Sequence, residues 1–313
     1  MSKVLVITGP TAAGKTGLGI ALAQAFGGEV VSADSMQVYR GMDIGTAKPM
    51  QDEMTGVPHH MIDVADPAEP YSVARYVEEA AACMDDILAR GKLPIVVGGT
   101  GLYIDSLLLG RTFAQSPAAE GVREALLARY ETEGGEALWQ ELRQIDPATA
   151  ARLHANDKKR VLRALEVYTL TGQTITAHNE ETKRVPPRYE AVKIALTARD
   201  RADLYRRIDR RVDGMMAAGL VGEVETLIRS GLSADSTALQ AIGYKELARA
   251  LAGEITQAEA VEMIKQESRR YAKRQLSWLR RDPATRWIEW EGEPDLTAAV
   301  QVSTAFCRAE GLS

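Results

Sequence analysis

The sequence predicts an α/β protein, a parallel sheet flanked by helices, with an all-helical insertion. Three observations predict it. Short apolar runs at Val4–Ile7, 29–33, 93–97 and 191–196 alternate with helix-like segments. Unbroken apolar runs of this length mark strands buried on both faces of a parallel sheet. The alternation stops near Arg111, and residues from about 116 to 184 read as helix after helix with no strand candidate. The first run leads into a glycine-rich turn and then into Leu18, Leu22 and Phe26, spaced every four residues as on a helix face. The expected division is therefore a core of residues 1–115 and 189–313 around an insertion of residues 116–188.

Gly9-Pro10-Thr11-Ala12-Ala13-Gly14-Lys15-Thr16 fits the phosphate-loop pattern G-x-x-x-x-G-K-S/T, so the core is expected to be P-loop NTPase-like. Such a turn aims backbone N–H groups and a helix's positive end at an anion. Lys15 would add a charge and the Thr16 hydroxyl a ligand for Mg²⁺. The loop specifies a polyphosphate without saying which one. The second strand delivers Asp34-Ser35-Met36-Gln37 at its carboxyl end, where ligands of open α/β sheets sit. Asp34 there suits a catalytic or metal role, or equally an Asx-turn or helix cap. A loop, Asp43 to Pro49, carries one lysine. His59 and His60 follow; adjacent side chains diverge on any regular element, which favours structural roles over a shared metal.

Ser72 caps a helix that Gly91 stops, and the third strand runs into Gly98-Gly99-Thr100-Gly101, presenting Thr100 between glycines. In the insertion, Asp146-Pro147 reads as a cap followed by proline at the first helical position. A helix from Lys158 to about Thr169 sets Val161, Leu165 and Tyr168 on one face and Lys159 and Arg163 on the other. Pro186-Pro187 returns the chain to the sheet. A helix from Asp203 to Ala218 carries Arg206, Arg207, Arg210 and Arg211, and guanidinium matches phosphate geometry. Thr256 and Glu259 form a capping box for a last long helix reaching about Arg281. Between Lys265 and Arg286 stand eight basic residues against two acidic ones, a lopsidedness that favours a polyanionic partner.

The chain has 313 residues, 45% hydrophobic and 26% charged, with a net charge of −5. Those values fit one large core and a smaller second unit. No apolar run approaches the roughly 20 residues that span a bilayer, and the N-terminus enters a strand directly, so no membrane or signal segment is expected. Cys83 and Cys307 are the only cysteines, which excludes a cysteine zinc cluster and suits a reduced cytoplasm. With no exposed apolar stripe in the pattern, a monomer needing no protein partner is the expectation.

Taken together, GPTAAGKT (9–16), DSMQVYRGMDIGTAKP (34–49), HHMID (59–63), GGTGLY (98–103), NDKKRVLRALEVY (156–168), QAIGYKE (240–246) and AKRQLSWLR (272–280) resemble the tRNA dimethylallyltransferase, or tRNA isopentenyltransferase, family of bacterial type. Alone, the phosphate loop leaves small-molecule kinases in play; the ordered set is far more specific. The resemblance implies transfer of a prenyl group from dimethylallyl diphosphate to N6 of adenosine 37, next to the anticodon of tRNAs reading codons that begin with U. Residues 9–16 would hold the diphosphate of the donor. Asp34 would be the base, and Thr100 and Arg211, with Lys15, would line the reaction channel. Asp34, Ser35, Met36, Gln37 and Thr100 would meet the anticodon loop. Arg123 and Lys159, Arg160, Val161, Leu162 and Arg163 would grip the anticodon stem-loop, helped by Gln240, Ala241, Ile242, Gly243, Tyr244 and Lys245.

Overall fold

The computed structural model describes residues 2–111 and 119–313. The chain forms two compact units, Met1–Leu108 with Arg188–Ser313, and Leu109–Pro187. The boundary expected near residues 115 and 116 lies outside the described residues.

In chain order the first unit opens with β1 (Lys3–Thr8), α1 (Lys15–Phe26), β2 (Glu29–Ser32), β3 (His59–His60), α2 (Val73–Ala89), β4 (Pro94–Gly98) and α3 (Gly101–Leu108). The second unit holds α4 (Ala119–Glu133), α5 (Gly135–Ile145), α6 (Pro147–Ala150), α7 (Lys158–Thr171) and α8 (Ile175–Arg184). The first resumes with β5 (Glu190–Ala198), α9 (Arg201–Ala217), α10 (Leu220–Arg229), α11 (Tyr244–Leu251), α12 (Gln257–Leu279), β6 (Arg286–Trp290) and α13 (Leu296–Ala309). The six strands form one sheet in the order β3-β2-β4-β1-β5-β6, every neighbouring pair parallel. Beyond β1 the chain continues to one side of the sheet through β2, β3 and β4 and then to the other through β5. The crevice at the carboxyl end of β1 is thus a topological switch point, where such sheets place ligands.

Burial explains the elements. Val4 to Ile7 are fully buried, and Leu5 and Ile7 share a core with Leu18 and Leu22 of α1, Ile95, Ile194 and Cys307 of α13. Ile20 and Ala23 are buried too, so α1 buries more than the single stripe of Leu18, Leu22 and Phe26. Ser72 accepts the Arg75 N–H as cap of α2, and Thr256 accepts that of Glu259 in the expected capping box. Two helix limits differ from expectation. α9 begins two residues earlier because Asp200 caps it, accepting the Ala202 N–H, while Asp203 is drawn into the first turn to accept from the Gly292 N–H at 2.8 Å. α12 ends at Leu279 rather than Arg281. Among the described residues, no helix is long and apolar enough to cross a membrane.

The histidine pair takes structural roles. His59 Nδ1 lies 2.8 Å from the Val57 carbonyl, and His60 Nε2 lies 2.8 Å from Glu29 at the sheet's start. Glu29 is 2% exposed and also receives Arg90 and Lys92. The Arg90 bond holds its carboxyl well below the usual carboxylate range against the opposing effect of burial. A carboxyl with a depressed folded pKa stabilises the fold fully above its unfolded value, and the contribution is lost as pH falls below that value. Glu29→Gln is therefore expected to cost about 2 kcal/mol near neutrality and much less at pH 3, since it removes charge-assisted bonds whose cationic partners stay solvated. Urea unfolding at the two pH values measures this; an equal loss at both would remove the charge from the explanation.

Candidate active site

The phosphate loop is shaped by backbone that few residues tolerate. At Gly9, φ is +145° and a Cβ would stand 2.3 Å from the Leu196 carbonyl oxygen, so the chain leaving β1 can pass β5 only as glycine. Ala12 (φ 62°) and Gly14 (φ 92°) are left-handed, which turns successive N–H groups inward before α1 starts at Lys15. The Lys15 ammonium donates to the Pro10 carbonyl at 2.8 Å. Burial, and secondly the Arg211 charge, push its pKa down to about 8 against the opposing pull of Asp34. Burial, with a smaller effect of Arg207, lowers Arg211 as well, again opposed by Asp34. Two half-buried cations with one carboxylate between their influences form a site short of negative charge. A bound anion would relieve it.

Asp34 leaves the end of β2 in an Asx-type turn: its Oδ1 accepts the Met36 and Gln37 N–H groups at 2.9 and 3.4 Å. Both readings of this residue are thus compatible, because among the described residues no hydrogen bond is made to Oδ2. The glycine turn after β4 closes against the same loop. The Thr100 N–H donates to Ala33 O, and Thr100 Oγ1 accepts the Ser35 N–H, both at 3.2 Å. Gln275, a buried polar residue on α12, accepts the Thr11 N–H at 2.8 Å and donates to Gly99 O at 2.9 Å. It ties the phosphate loop to the glycine turn. The sequence signals this role only by a lone glutamine on an otherwise apolar helix face.

These loops border a cavity of about 870 Å³, whose lining includes Lys15, Thr16, Asp34, Arg211 and Tyr271. That volume suits a small ligand with a second group entering beside it. Among the described residues no group of three His, Cys, Asp or Glu side chains could cage a metal. A single hydroxyl, Thr16, fits a cation such as Mg²⁺, which takes most of its ligands from phosphate and water.

Several expected cations are already paired. Arg206 bonds Asp203; Arg207 bonds Glu293 and donates to Ala12 O at 2.9 Å; Arg210 also bonds Glu293. Of the expected arginines Arg206, Arg207, Arg210 and Arg211, Arg211 alone lacks an ion pair among the described residues. On α12, Lys265, Arg269 and Arg270 pair with Asp213, Asp209 and Glu267. The lopsided charge counted along the chain is therefore partly cancelled in space.

The expected RNA contacts divide in the same way. Gln37 is engaged within the protein, donating to Thr46 O and Ala47 O (both 3.3 Å) and accepting from Ser32 Oγ at 3.1 Å. In the 240–245 turn Gln240 is exposed, whereas Ala241, Gly243 and Tyr244 are buried. The Tyr244 side chain points inward, so it presents no surface to a partner.

In the helical unit, Val161 and Leu162 are core residues packed with Leu126, Leu138 and Leu142. Their side chains are turned into that core, which leaves no side-chain surface at Val161 and little at Leu162 for the expected RNA contact. Lys159, Arg160 and Arg163 are exposed, and Arg123 and Arg163 converge on buried Glu166 at 3.8 and 3.0 Å. Tyr168, placed with Val161 and Leu165 by spacing, is exposed at the edge of that face.

Comparison with known proteins agrees with this geometry. The IPP transferase family model matches residues 37–282, and an isopentenyl transferase model matches residues 2–66. A tRNA dimethylallyltransferase of Geobacillus thermodenitrificans is 50% identical over 287 residues, 92% of this chain and 90% of the relative. One of Geobacter sulfurreducens is 47% identical over 300 residues, 96% of each. Among solved structures, the full-length tRNA isopentenylpyrophosphate transferase of Bacillus halodurans is 42% identical with a TM-score of 0.75, covering 99% of this chain and 97% of that one. A eukaryotic dimethylallyltransferase acting on tRNA is 30% identical with a TM-score of 0.81, covering 99% of this chain and 80% of that one. With a phosphate loop, an open carboxylate and a matching fold over nearly its whole length, the chain belongs to the tRNA dimethylallyltransferase (IPP transferase) family.

Proposed function

We propose that the protein transfers the dimethylallyl group of dimethylallyl diphosphate to N6 of adenosine 37, in tRNAs reading codons that begin with U, giving N6-isopentenyladenosine and pyrophosphate. The observation that carries this reading is the pair of half-buried cations, Lys15 and Arg211, beside Asp34 in one cavity. An allylic diphosphate that ionises builds negative charge on its leaving group. Preorganised donors aimed at that charge are the largest source of rate, each worth about 10²–10³ in kcat. The amides of residues 12–16, Lys15 and Arg211 supply such donors, and Thr100 stands at the mouth of the glycine turn. Mg²⁺ held by the diphosphate and Thr16 would add a further charge there.

The exocyclic amine is a weak nucleophile and must lose a proton as it attacks. The open oxygen of Asp34 suits that task. The adenine must leave its stack to reach the cavity, at a cost of a few kcal/mol. Exposed Lys159, Arg160, Arg163 and Arg123 suit phosphate contacts, which position an RNA without reading it. Such a substrate suits a protein of the cytoplasm. Most of the large exposed apolar side chains, such as Met50, Leu251 and Val302, belong to separate segments, in keeping with a monomer.

Mass analysis of an anticodon stem-loop incubated with the protein and dimethylallyl diphosphate tests the reading. A gain of one prenyl group, with one pyrophosphate released, is expected. Unchanged RNA mass would reject it. Alanine at both Lys159 and Arg163 should weaken RNA binding and lower the slope of log K against log salt by about 0.7–0.9 per lost phosphate contact. An unaltered slope would make that face merely solvated.

A further inference from the structure

Glu223 lies in the first turn of α10, outside every motif that carries the family resemblance, yet it joins two of them. Its Oε2 accepts the N–H groups of Asp43 and Ile44 at 3.0 and 2.7 Å. Its Oε1 accepts the Gly45 N–H at 3.1 Å and the Tyr244 hydroxyl at 2.5 Å. Four donors thus converge on two oxygens, and three of them are consecutive backbone amides that would otherwise point at an anion of their own. The Tyr244 ring closes over the same turn: a Cβ on Gly45 would stand 2.5 Å from it. Burial raises the Tyr244 phenol, and Glu223 raises it further, so the hydroxyl remains a donor.

What this carboxylate holds leads to the substrate side of the site. Residues 43–47 form one tight turn, with the Ala47 N–H donating to Ile44 O at 3.0 Å. The carbonyls of Thr46 and Ala47 at its end are the two acceptors of the Gln37 amide. The buried ammonium of Lys48 fixes the turn's far end, 2.5 Å from both Asp43 and Asp63. The orientation of Gln37, beside Asp34, is therefore set by a turn that Glu223 anchors, and the same carboxylate anchors the 240–245 turn through Tyr244.

We infer that Glu223 is a positioning residue for the nucleic-acid substrate, holding the 43–47 turn, Gln37 and the 240–245 turn in one arrangement. The inference rests on the tRNA-modifying reading above. Glutamine at this position keeps shape but offers one oxygen in place of two, and its NH₂ would face two donors. The loss should fall on tRNA and spare the prenyl diphosphate, since among the described residues the hydrogen bonds of Glu223 go to residues 43–45 and Tyr244 and not to the phosphate loop.

The test compares Glu223→Gln, Tyr244→Phe and, as a neighbouring exposed carboxylate, Glu225→Gln. Steady-state prenylation of an anticodon stem-loop is measured with each substrate varied, and hydrogen exchange is followed at the amides of residues 43–45. Glu223→Gln should raise KM for RNA about tenfold, leave KM for dimethylallyl diphosphate within about twofold, and speed exchange at those amides, as expected when charge-assisted bonds are lost. Tyr244→Phe should act in the same direction more weakly, and Glu225→Gln should match the unaltered protein. An unchanged KM for RNA, or a parallel loss for both substrates, overturns the inference. If the unaltered protein prenylates nothing, it is the functional reading that fails, and unchanged exchange at residues 43–45 in Glu223→Gln would then overturn the anchoring by itself.

Discussion

Asp34→Asn is expected to lower the single-turnover rate of prenyl transfer at least about a hundredfold, the usual worth of a positioned base. Asparagine retains an oxygen for the Met36 and Gln37 N–H groups, so the turn after β2 should survive and RNA affinity should change little. What is lost is the proton acceptor and one negative charge. Asp34 is the group that pulls the pKa of Lys15 upward, so its removal lets that pKa fall below about 8. Binding of dimethylallyl diphosphate should consequently weaken at a lower pH in the variant than in the parent. Rapid-quench rates with both substrates saturating measure the first effect, and the pH dependence of donor binding measures the second. A rate within tenfold of the parent would remove Asp34 from the role of base.

The second large effect belongs to Lys15→Ala, which should cut kcat by about 10²–10³ by removing a charge aimed at the departing diphosphate. In the parent, kcat/KM for dimethylallyl diphosphate should decline as pH rises through about 8, where the Lys15 ammonium of the free protein is lost. Its folded pKa is below the usual lysine value, so the charged form dominates below that pH and not above it. The variant should show a low, flat profile in the same range. Pyrophosphate release with and without RNA provides the assay. The parent should also show no RNA-stimulated release of phosphate from ATP, because on the proposed reading Asp34 is aimed at an amine rather than at a water attacking a γ-phosphate. An alkaline limb that persists in Lys15→Ala would assign the titration to another group.

Much of this architecture is written in short stretches of sequence. The phosphate loop, the Ser72 cap, the Asp146-Pro147 start and the Thr256–Glu259 capping box each depend on residues no more than eight apart. The apolar runs of β1, β2, β4 and β5 name strands buried on both faces for the same reason, since each strand's environment is legible in its own side chains. The placement of Asp34 at a strand's carboxyl end followed from those runs. β6 and α13 were not foreseen, although Arg286–Trp290 and Leu296–Ala309 complete one sheet edge and cover α1. The strand is half-exposed and carries no unbroken apolar run, and its identity comes from pairing with β5. Charge was the least legible quantity. Arg207 and Arg210 meet Glu293 more than eighty residues away, and Arg269 meets Asp209 sixty residues away, so a count along the chain overstated the free positive charge. Val161 and Leu162 stand in a basic stretch yet face a core made by α4 and α5. Gln275 and Glu223 acquire their places only when α12 and α10 are set against loops far away in the chain. Caps, turns and periodicity are decided by neighbours within a few residues, whereas ion pairs, bridging side chains and strand order depend on which distant segments the closing of the core brings within 3 Å of one another.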